Sequence, residues 1–332
     1  METTVSQQPP PSKVTTAPPL LLIHRIPQIK SSFFPFLQSG QYRILDPLDE
    51  SDLSFPTLSK SARVMLCLGP SRVTAETLDR YPSLECIVGS SAGYDHFDLA
   101  ECRRRGIRVT TAGDSFSDDV ADFAIGLLID VLRRVSAADR FVRAVSWPKK
   151  GEFPVGSKVG GKRVGIVGLG SIGLRISRRL EAFGCTIAYT SKNIKPNIPF
   201  CFYENINHLA SNSDILVVCC ALTQETHHIV DKNVMLALGK GGIIINVGRG
   251  PLVDEKELVR LLVSGEIGGA GLDVYEDEPN VPRELFGLDN VVLSSHVSFA
   301  TPEAIAQLHA LVATNLESFF LNKALQAEIR LQ

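Results

Sequence analysis

The amino-acid sequence predicts an α/β fold of two Rossmann-like units, the second inserted into the first. Three observations carry that expectation. From Leu20 onward, short apolar runs alternate with amphipathic stretches, as βαβ units of a parallel sheet require. A glycine-rich turn, Gly168-Leu169-Gly170-Ser171-Ile172-Gly173, directly follows one such run and opens a helical stretch. Two long apolar helical patterns frame the series of runs that contains this turn.

The 332 residues leave room for about two domains of ~100 to 200 residues. Apolar residues make up 44% and charged residues 21%, so most of the chain is expected to bury a core rather than stay disordered. The 34 basic and 36 acidic residues give a net charge of −2, which argues against nucleic acid or a membrane surface as partner. No apolar run reaches the ~18 to 20 residues that span a bilayer, and a soluble protein is expected. Seven cysteines without a C-x-x-C pair read as free thiols in a reducing compartment, with no disulfide framework and no metal site.

Met1 to Pro19 hold five prolines and predict a disordered tail. The tail has too few basic residues for a transit peptide and no signal-peptide apolar core. The cytoplasm is the expected address, with plastid targeting by the tail the open alternative. Strands are predicted at Leu20 to His24, Arg43 to Leu45, Val64 to Leu68, Leu84 to Val88 and Ile107 to Thr110, and a helix over Leu99 to Arg105 stops at Gly106. Ser117 is expected to cap a helix through Arg134, with Val120, Phe123, Ala124, Leu127, Leu128 and Val131 on one face. The second series of strands covers Arg163 to Val167, Thr186 to Tyr189, Ile215 to Cys220, Gly242 to Val247, Gly271 to Val274 and Val291 to Leu293. A helix is expected over Leu174 to Phe183, and Thr301 with Pro302 starts the last one, running towards Leu321. One long helix enters the second series and another leaves it. The expected layout is therefore a nucleotide-binding domain, 117–298, inserted into a discontinuous flavodoxin-like substrate domain, 20–116 and 299–332.

In the glycine-rich turn, Gly168 permits the tight bend, Gly170 admits a pyrophosphate against the backbone, and Gly173 lets helix and strand pack closely. Free N–H groups along Leu169, Ser171 and Ile172 and the helix dipole would hold the phosphates. An acid at the end of the next strand would bind a ribose 2′-hydroxyl and repel a 2′-phosphate. Here Thr190-Ser191-Lys192 follow Tyr189, and no acid occurs from Thr186 to Phe202. Hydroxyls with Lys192 and Lys195 favour NADP(H), with NAD(H) compatible.

Three further signals follow strand ends, where open α/β sheets place ligands. They are Val247-Gly248-Arg249-Gly250, the run from Asp273 through Glu278-Pro279, and Ser295-His296. Each alone reads as a loop residue; together, in this order behind a phosphate turn, they form a coherent chemistry. Reduction of a 2-oxo acid needs a cation for the carboxylate and an acid for the oxygen that becomes an alkoxide. Arg249 offers a permanently charged fork, and His296 can donate the proton. Glu278 would favour the protonated imidazole: a charge at ~4 Å contributes about 4 kcal/mol at an effective dielectric of ~20, before desolvation.

These runs, with Val88-Gly89-Ser90-Ser91-Ala92-Gly93-Tyr94-Asp95, Asp118-Asp119-Val120-Ala121-Asp122 and Gly268 to Val274, make the chain resemble the D-isomer-specific 2-hydroxyacid dehydrogenase family from about residue 20 onward. The likeness is greatest to the plant glyoxylate/hydroxypyruvate reductases, including the hydroxyphenylpyruvate reductase type. The resemblance implies that Arg249 binds substrate, Glu278 is the partner carboxylate and His296 the proton donor. It also implies that the turn at Ser91, Ala92 and Gly93 clasps the substrate carboxylate and that Asp273 holds the nicotinamide carboxamide, with Val247 and Gly248 beside the cofactor. A homodimer through the nucleotide domain and a photorespiratory setting are implied as well. Trp147 lies in the segment that reaches the partner's active site in such relatives. The chain departs from the family pattern at Ser295, where Pro is usual, at Phe299 in a turn that usually holds glycine, and at Ala221, where Pro commonly precedes Leu-Thr.

The expected activity is NADPH-preferring reduction of hydroxypyruvate to D-glycerate and glyoxylate to glycolate. One alternative is an aromatic 2-oxo acid (hydroxyphenylpyruvate) reductase, which Phe299 and Trp147 favour. Another is a dinucleotide-sensing, corepressor-like protein, against which stand the near-neutral charge and the lack of a basic run.

Overall fold

The computed structural model describes residues 17–29 and 34–330, so most of the expected tail, 1–19, lies outside the described residues. A first parallel sheet is built from β1 (Leu20–His24), β2 (Arg43–Leu45), β3 (Val64–Cys67), β4 (Cys86–Gly89) and β5 (Arg108–Thr110), in the order β2-β1-β3-β4-β5. This is the flavodoxin-like order. The second sheet, also parallel, has β6 (Arg163–Val167), β7 (Thr186–Thr190), β8 (Cys201–Phe202), β9 (Ile215–Val218), β10 (Ile243–Asn246), β11 (Gly269–Leu272) and β12 (Val291–Leu293), in the order β12-β11-β10-β9-β6-β7-β8. Every residue of β3, β4, β9 and β10 is buried, as expected of strands covered on both faces.

The helix Ser117–Arg133 joins the two sheets in one apolar cluster, which runs from Leu21, Ile23 and Leu66 to Val164, Ile166 and Ile245. It lies across β11, and glycines make that possible. A Cβ on Gly269 would come 3.0 Å from Val131, and one on Gly271 would come 3.1 Å from Leu127 and 2.8 Å from Ile245. The same glycines lower strand propensity, which is why the sequence pattern starts β11 two residues late.

Ser117 does not cap this helix. The N-cap position belongs to Phe116 and makes no side-chain bond, Ser117 is buried in the first turn, and Asp118 and Asp119 face the positive end of the helix dipole. The helix Ser171–Ala182 starts at the glycine turn itself, three residues before the expected Leu174. It packs on Ser117–Arg133, with Arg175 donating to Asp118 (3.0 Å) and Arg179 to Asp122 (2.6 Å). The strand β8 was not foreseen, because two residues carry no periodicity.

Thr301 caps the last helix, Pro302–Phe320, by accepting the Ala304 N–H (3.0 Å), and its hydroxyl donates to Asp119 (2.5 Å). The chain then returns to the first sheet, where Glu328 pairs antiparallel with Thr110 and binds Arg108 through both carboxylate oxygens. On these contacts we propose the division expected above, with 117–298 inserted between 20–116 and 299–332. All seven cysteines are free thiols, and no helix is long and apolar enough to cross a membrane among the described residues.

Candidate active site

The carboxyl ends of β4, β6, β7, β10, β11 and β12 and the loops that follow them carry the expected site residues. His296 Nδ1 lies 2.8 Å from Glu278 Oε2, and Glu278 Oε1 accepts the Tyr275 N–H (3.1 Å). Burial works against the Glu278 charge, but the His296 hydrogen bond and charge, the Tyr275 amide and the Arg249 charge together bring its carboxyl below the ordinary glutamate value. The Tyr275 hydroxyl donates to the Ser294 carbonyl (2.8 Å), tying the glutamate turn to the histidine loop.

That loop is organised by Asp273, which is fully buried. Its carboxylate accepts from Ser294 Oγ (2.7 Å), Val297 N–H (3.0 Å) and Ser298 N–H (3.1 Å), and its carbonyl accepts the His296 N–H (2.8 Å). His296 itself has φ +55°, a left-handed conformation that costs an L-residue ~1 to 2 kcal/mol. Four hydrogen bonds to one aspartate overdetermine that conformation.

Arg249 leaves β10 through a loop folded by Asn246, whose side chain donates to the Arg249 carbonyl (2.9 Å) and accepts the Gly248 N–H (3.1 Å). Val247 at the strand end is buried. The guanidinium crosses to the first sheet: Nε donates to Asp95 (3.1 Å), Nη1 to the Gly248 carbonyl (2.9 Å), and Nη2 lies against Gly93. The Ser91 hydroxyl donates to the Gly93 carbonyl (2.8 Å) and shapes a turn with Ala92 exposed at its tip. Ser91, Ala92, Gly93 and Arg249 are therefore in one place, drawn from both sheets. Asp95 stood in the Val88 to Asp95 run without an assigned part, and only the fold shows that it aims the arginine.

In the glycine-rich turn, Gly168 has φ +101°, and a Cβ there would stand 2.5 Å from Cys220. A Cβ on Gly173 would stand 2.2 Å from the Gly168 carbonyl, whereas one on Gly170 would meet nothing within 4 Å. The turn is thus closed towards the protein and open at Gly170. No side chain caps the helix there, so the amides that follow are available to an anion. Leu169 is buried, anchoring the turn, and Ile172 is half-buried. At the end of β7, Thr190 is buried, while Lys192 and Lys195 are exposed. Ser191 Oγ donates to the Asn193 carbonyl (2.6 Å), and the Lys195 N–H donates to the Tyr189 hydroxyl (2.9 Å). Hydroxyls and ammonium groups without a carboxylate in this segment suit a phosphate monoester.

The Phe299 ring stands edge-on to His296, centroids 6.3 Å apart, and 5.2 Å from Phe116. Both chain crossings between the sheets therefore meet in an aromatic contact beside the histidine. Trp147 is 63% exposed, on an arm with Val135, Val142, Val145 and Val155, which are also exposed. No group of three or more His, Cys, Asp or Glu side chains suited to a metal ion occurs among the described residues.

Residues 125–298 match the family model described as the NAD-binding domain of D-isomer-specific 2-hydroxyacid dehydrogenases. The chain is 53% identical to a glyoxylate/hydroxypyruvate reductase of Arabidopsis thaliana, covering 94% of this chain and 98% of that protein. It is 50% identical to the hydroxyphenylpyruvate reductase of Plectranthus scutellarioides, covering 80% and 85%. Among solved structures, the NADPH-dependent glyoxylate/hydroxypyruvate reductase of Sinorhizobium meliloti, in complex with NADP and malonate, superposes with a TM-score of 0.86 at 34% identity, covering 94% of this chain and 97% of that one.

Proposed function

The chain belongs to the D-isomer-specific 2-hydroxyacid dehydrogenase family, and from that premise we propose that it reduces hydroxypyruvate to D-glycerate and glyoxylate to glycolate, with NADPH preferred over NADH. The observation that carries this reading is the convergence of an imidazole–carboxylate pair, His296 and Glu278, with an arginine that spans both sheets. The names and cofactor of the relatives at 53% and 34% identity support it.

The turn Gly168 to Gly173 would hold the pyrophosphate, Thr190, Ser191 and Lys192 the 2′-phosphate, and Val247, Gly248 and Asp273 the nicotinamide end. The reduced nicotinamide supplies the hydride. Arg249 binds the substrate carboxylate: Asp95 fixes Nε and the Gly248 carbonyl takes Nη1, which leaves Nη2 against Gly93 beside the turn that would clasp the same carboxylate. These groups orient the carbonyl between the sheets. Glu278 takes the Nδ1 side of His296, so Nε2 is the atom that delivers the proton to the carbonyl oxygen. The Glu278 carboxylate stabilises the imidazolium that precedes proton delivery in the forward direction and that forms on proton abstraction in the reverse. Asp273, buried against the histidine loop, keeps the ring on this line.

A second reading, reduction of aromatic 2-oxo acids, is favoured by the Phe299 ring beside His296 and by the 50% identity to a hydroxyphenylpyruvate reductase. The exposed Trp147 arm supports a homodimer through the nucleotide domain. Cytoplasmic residence and a photorespiratory setting complete the proposal. A panel of 2-oxo acids assayed with NADPH and NADH tests it: the reading requires hydroxypyruvate and glyoxylate to lead in kcat/KM with NADPH. A lead for hydroxyphenylpyruvate supports the second reading.

A further inference from the structure

Two histidine–glutamate pairs flank one short turn. Glu278 meets His296, and Glu276, two residues earlier, meets His228, whose Nε2 lies 2.6 Å from Glu276 Oε1. His228 comes from the loop after β9. Its backbone N–H donates to the Pro251 carbonyl (2.8 Å), and two residues on, the Val230 N–H donates to Leu252 (3.0 Å). Pro251 and Leu252 follow directly on Arg249 and Gly250. The turn lies directly on that stretch: a Cβ on Gly250 would come 1.9 Å from the Tyr275 carbonyl carbon. Glu276 Oε1 also accepts the Glu255 N–H (3.3 Å), and Glu255 Oε2 accepts the Glu276 N–H (3.2 Å).

We propose that His228 is a positioning residue for the reduction, clipping the Arg249 segment to the Glu278 turn and so holding Glu278 within reach of His296. The proposal rests on the reading of Glu278 and His296 given above. His228 has φ +52°, a conformation that favours glycine or asparagine, yet the position carries an imidazole that the clip uses. Four carboxylates, Glu255, Glu276, Asp277 and Glu278, crowd this corner: burial first, with the charges of the other three behind it, outweighs the Glu276 N–H bond and pushes the Glu255 carboxyl above its ordinary value. A ring N–H against Glu276 opposes the splaying of that turn. His227 stacks on His228 at 4.0 Å between ring centroids and flanks the clip from its own loop. Both members of the pair are about one-third exposed, at 34% and 33%, so the pair contributes little to folding and its loss reads out in alignment.

The test uses the full-length chain with hydroxypyruvate and NADPH, and follows the His296 Nδ1–H proton by NMR, which a hydrogen bond to a carboxylate moves far downfield. That resonance is assigned by its loss in His296→Ala. In His228→Ala, kcat should fall roughly 10-fold with KM for the oxo acid little changed, and the resonance should move upfield or broaden. His228→Gln, which retains a side-chain N–H donor, should restore most of both. Should His228→Ala not fold, Glu276→Ala removes the same contact from the other side and should show the same kcat loss and resonance shift. Unchanged kcat with an unchanged resonance in these variants overturns the inference, as does a loss confined to KM. Normal turnover in His296→Ala would instead remove the underlying reading, and its loss there with none in His228→Ala would remove this inference alone.

Discussion

Arg249 and Gly93 touch across the two sheets so closely that a Cβ on Gly93 would stand 1.8 Å from the arginine Nη2. The contact brings a guanidinium from the second sheet onto a backbone turn of the first, the arrangement by which we propose that a split site grips one small carboxylate. Gly93→Ala should push the guanidinium aside, raising KM for hydroxypyruvate roughly 10-fold or more while the unfolding midpoint moves little. Steady-state kinetics and a thermal melt on the same variant check this, and an unaltered KM would remove Gly93 from the anion site.

Glu278 gives a prediction on the acid side. Its carboxyl lies below the ordinary value of 4.5, so Glu278 keeps its charge further into acid than a free glutamate and loses it as pH falls through that lowered value. With NADPH decay in acid corrected by single-turnover measurement, kcat/KM should show no loss attributable to Glu278 between pH 6 and 5. Glu278→Gln, lacking the charge at every pH, should be slower than wild type by roughly 10²-fold throughout that range.

His96 packs beneath the substrate turn, buried, with its ring 4.0 Å from Phe97 between centroids. Burial, then the charges of Arg249 and His24, hold its imidazole down at about 4 against the pull of Asp95. The unfolded chain takes up this proton near 6.5, so the folded state loses stability as pH falls from 6.5 towards 4, by up to about 3 kcal/mol. Urea midpoints at pH 7.5 and 4.5 should therefore differ less in His96→Gln than in wild type. Equal differences would show that His96 does not govern this part of the acid sensitivity.

Lys192 stands exposed after β7, and its charge reaches Glu225, whose carboxyl lies below its ordinary value through the Thr223 hydrogen bond first and Lys192 among the smaller influences. Lys192→Glu places a like charge beside a 2′-phosphate. We expect kcat/KM with NADPH to fall at least roughly 10-fold and that with NADH to stay within about twofold. A parallel fall with both cofactors would assign Lys192 a different part.

Much of this was readable in the chain because it is local. The turn from Gly168 to Gly173 and the alternation of strands and helices are set within a few residues, and Arg249, Glu278 and His296 each stand in a short run at a strand end. What escaped depends on distance along the chain: Asp95 aims Arg249 across 154 positions, and Asp273 organises a loop more than twenty residues later. Ser117 misled because a serine before an apolar helix is a good cap by composition, but the buried approach of Phe116 took the N-cap position. Gly269 and Gly271 misled similarly, since glycine argues against a strand until the helix that crosses it is seen. The His228–Glu276 pair carries no motif at all.

The central claim is that His296, held by Glu278 and Asp273, delivers the proton to a 2-oxo acid bound by Arg249. The most direct measurement is single-turnover reduction of hydroxypyruvate by NADPH in wild type and His296→Ala, at matched cofactor occupancy. A fall in rate of roughly 10² to 10⁴ in the variant, with cofactor binding unchanged, is the expected result. Equal rates would contradict the account.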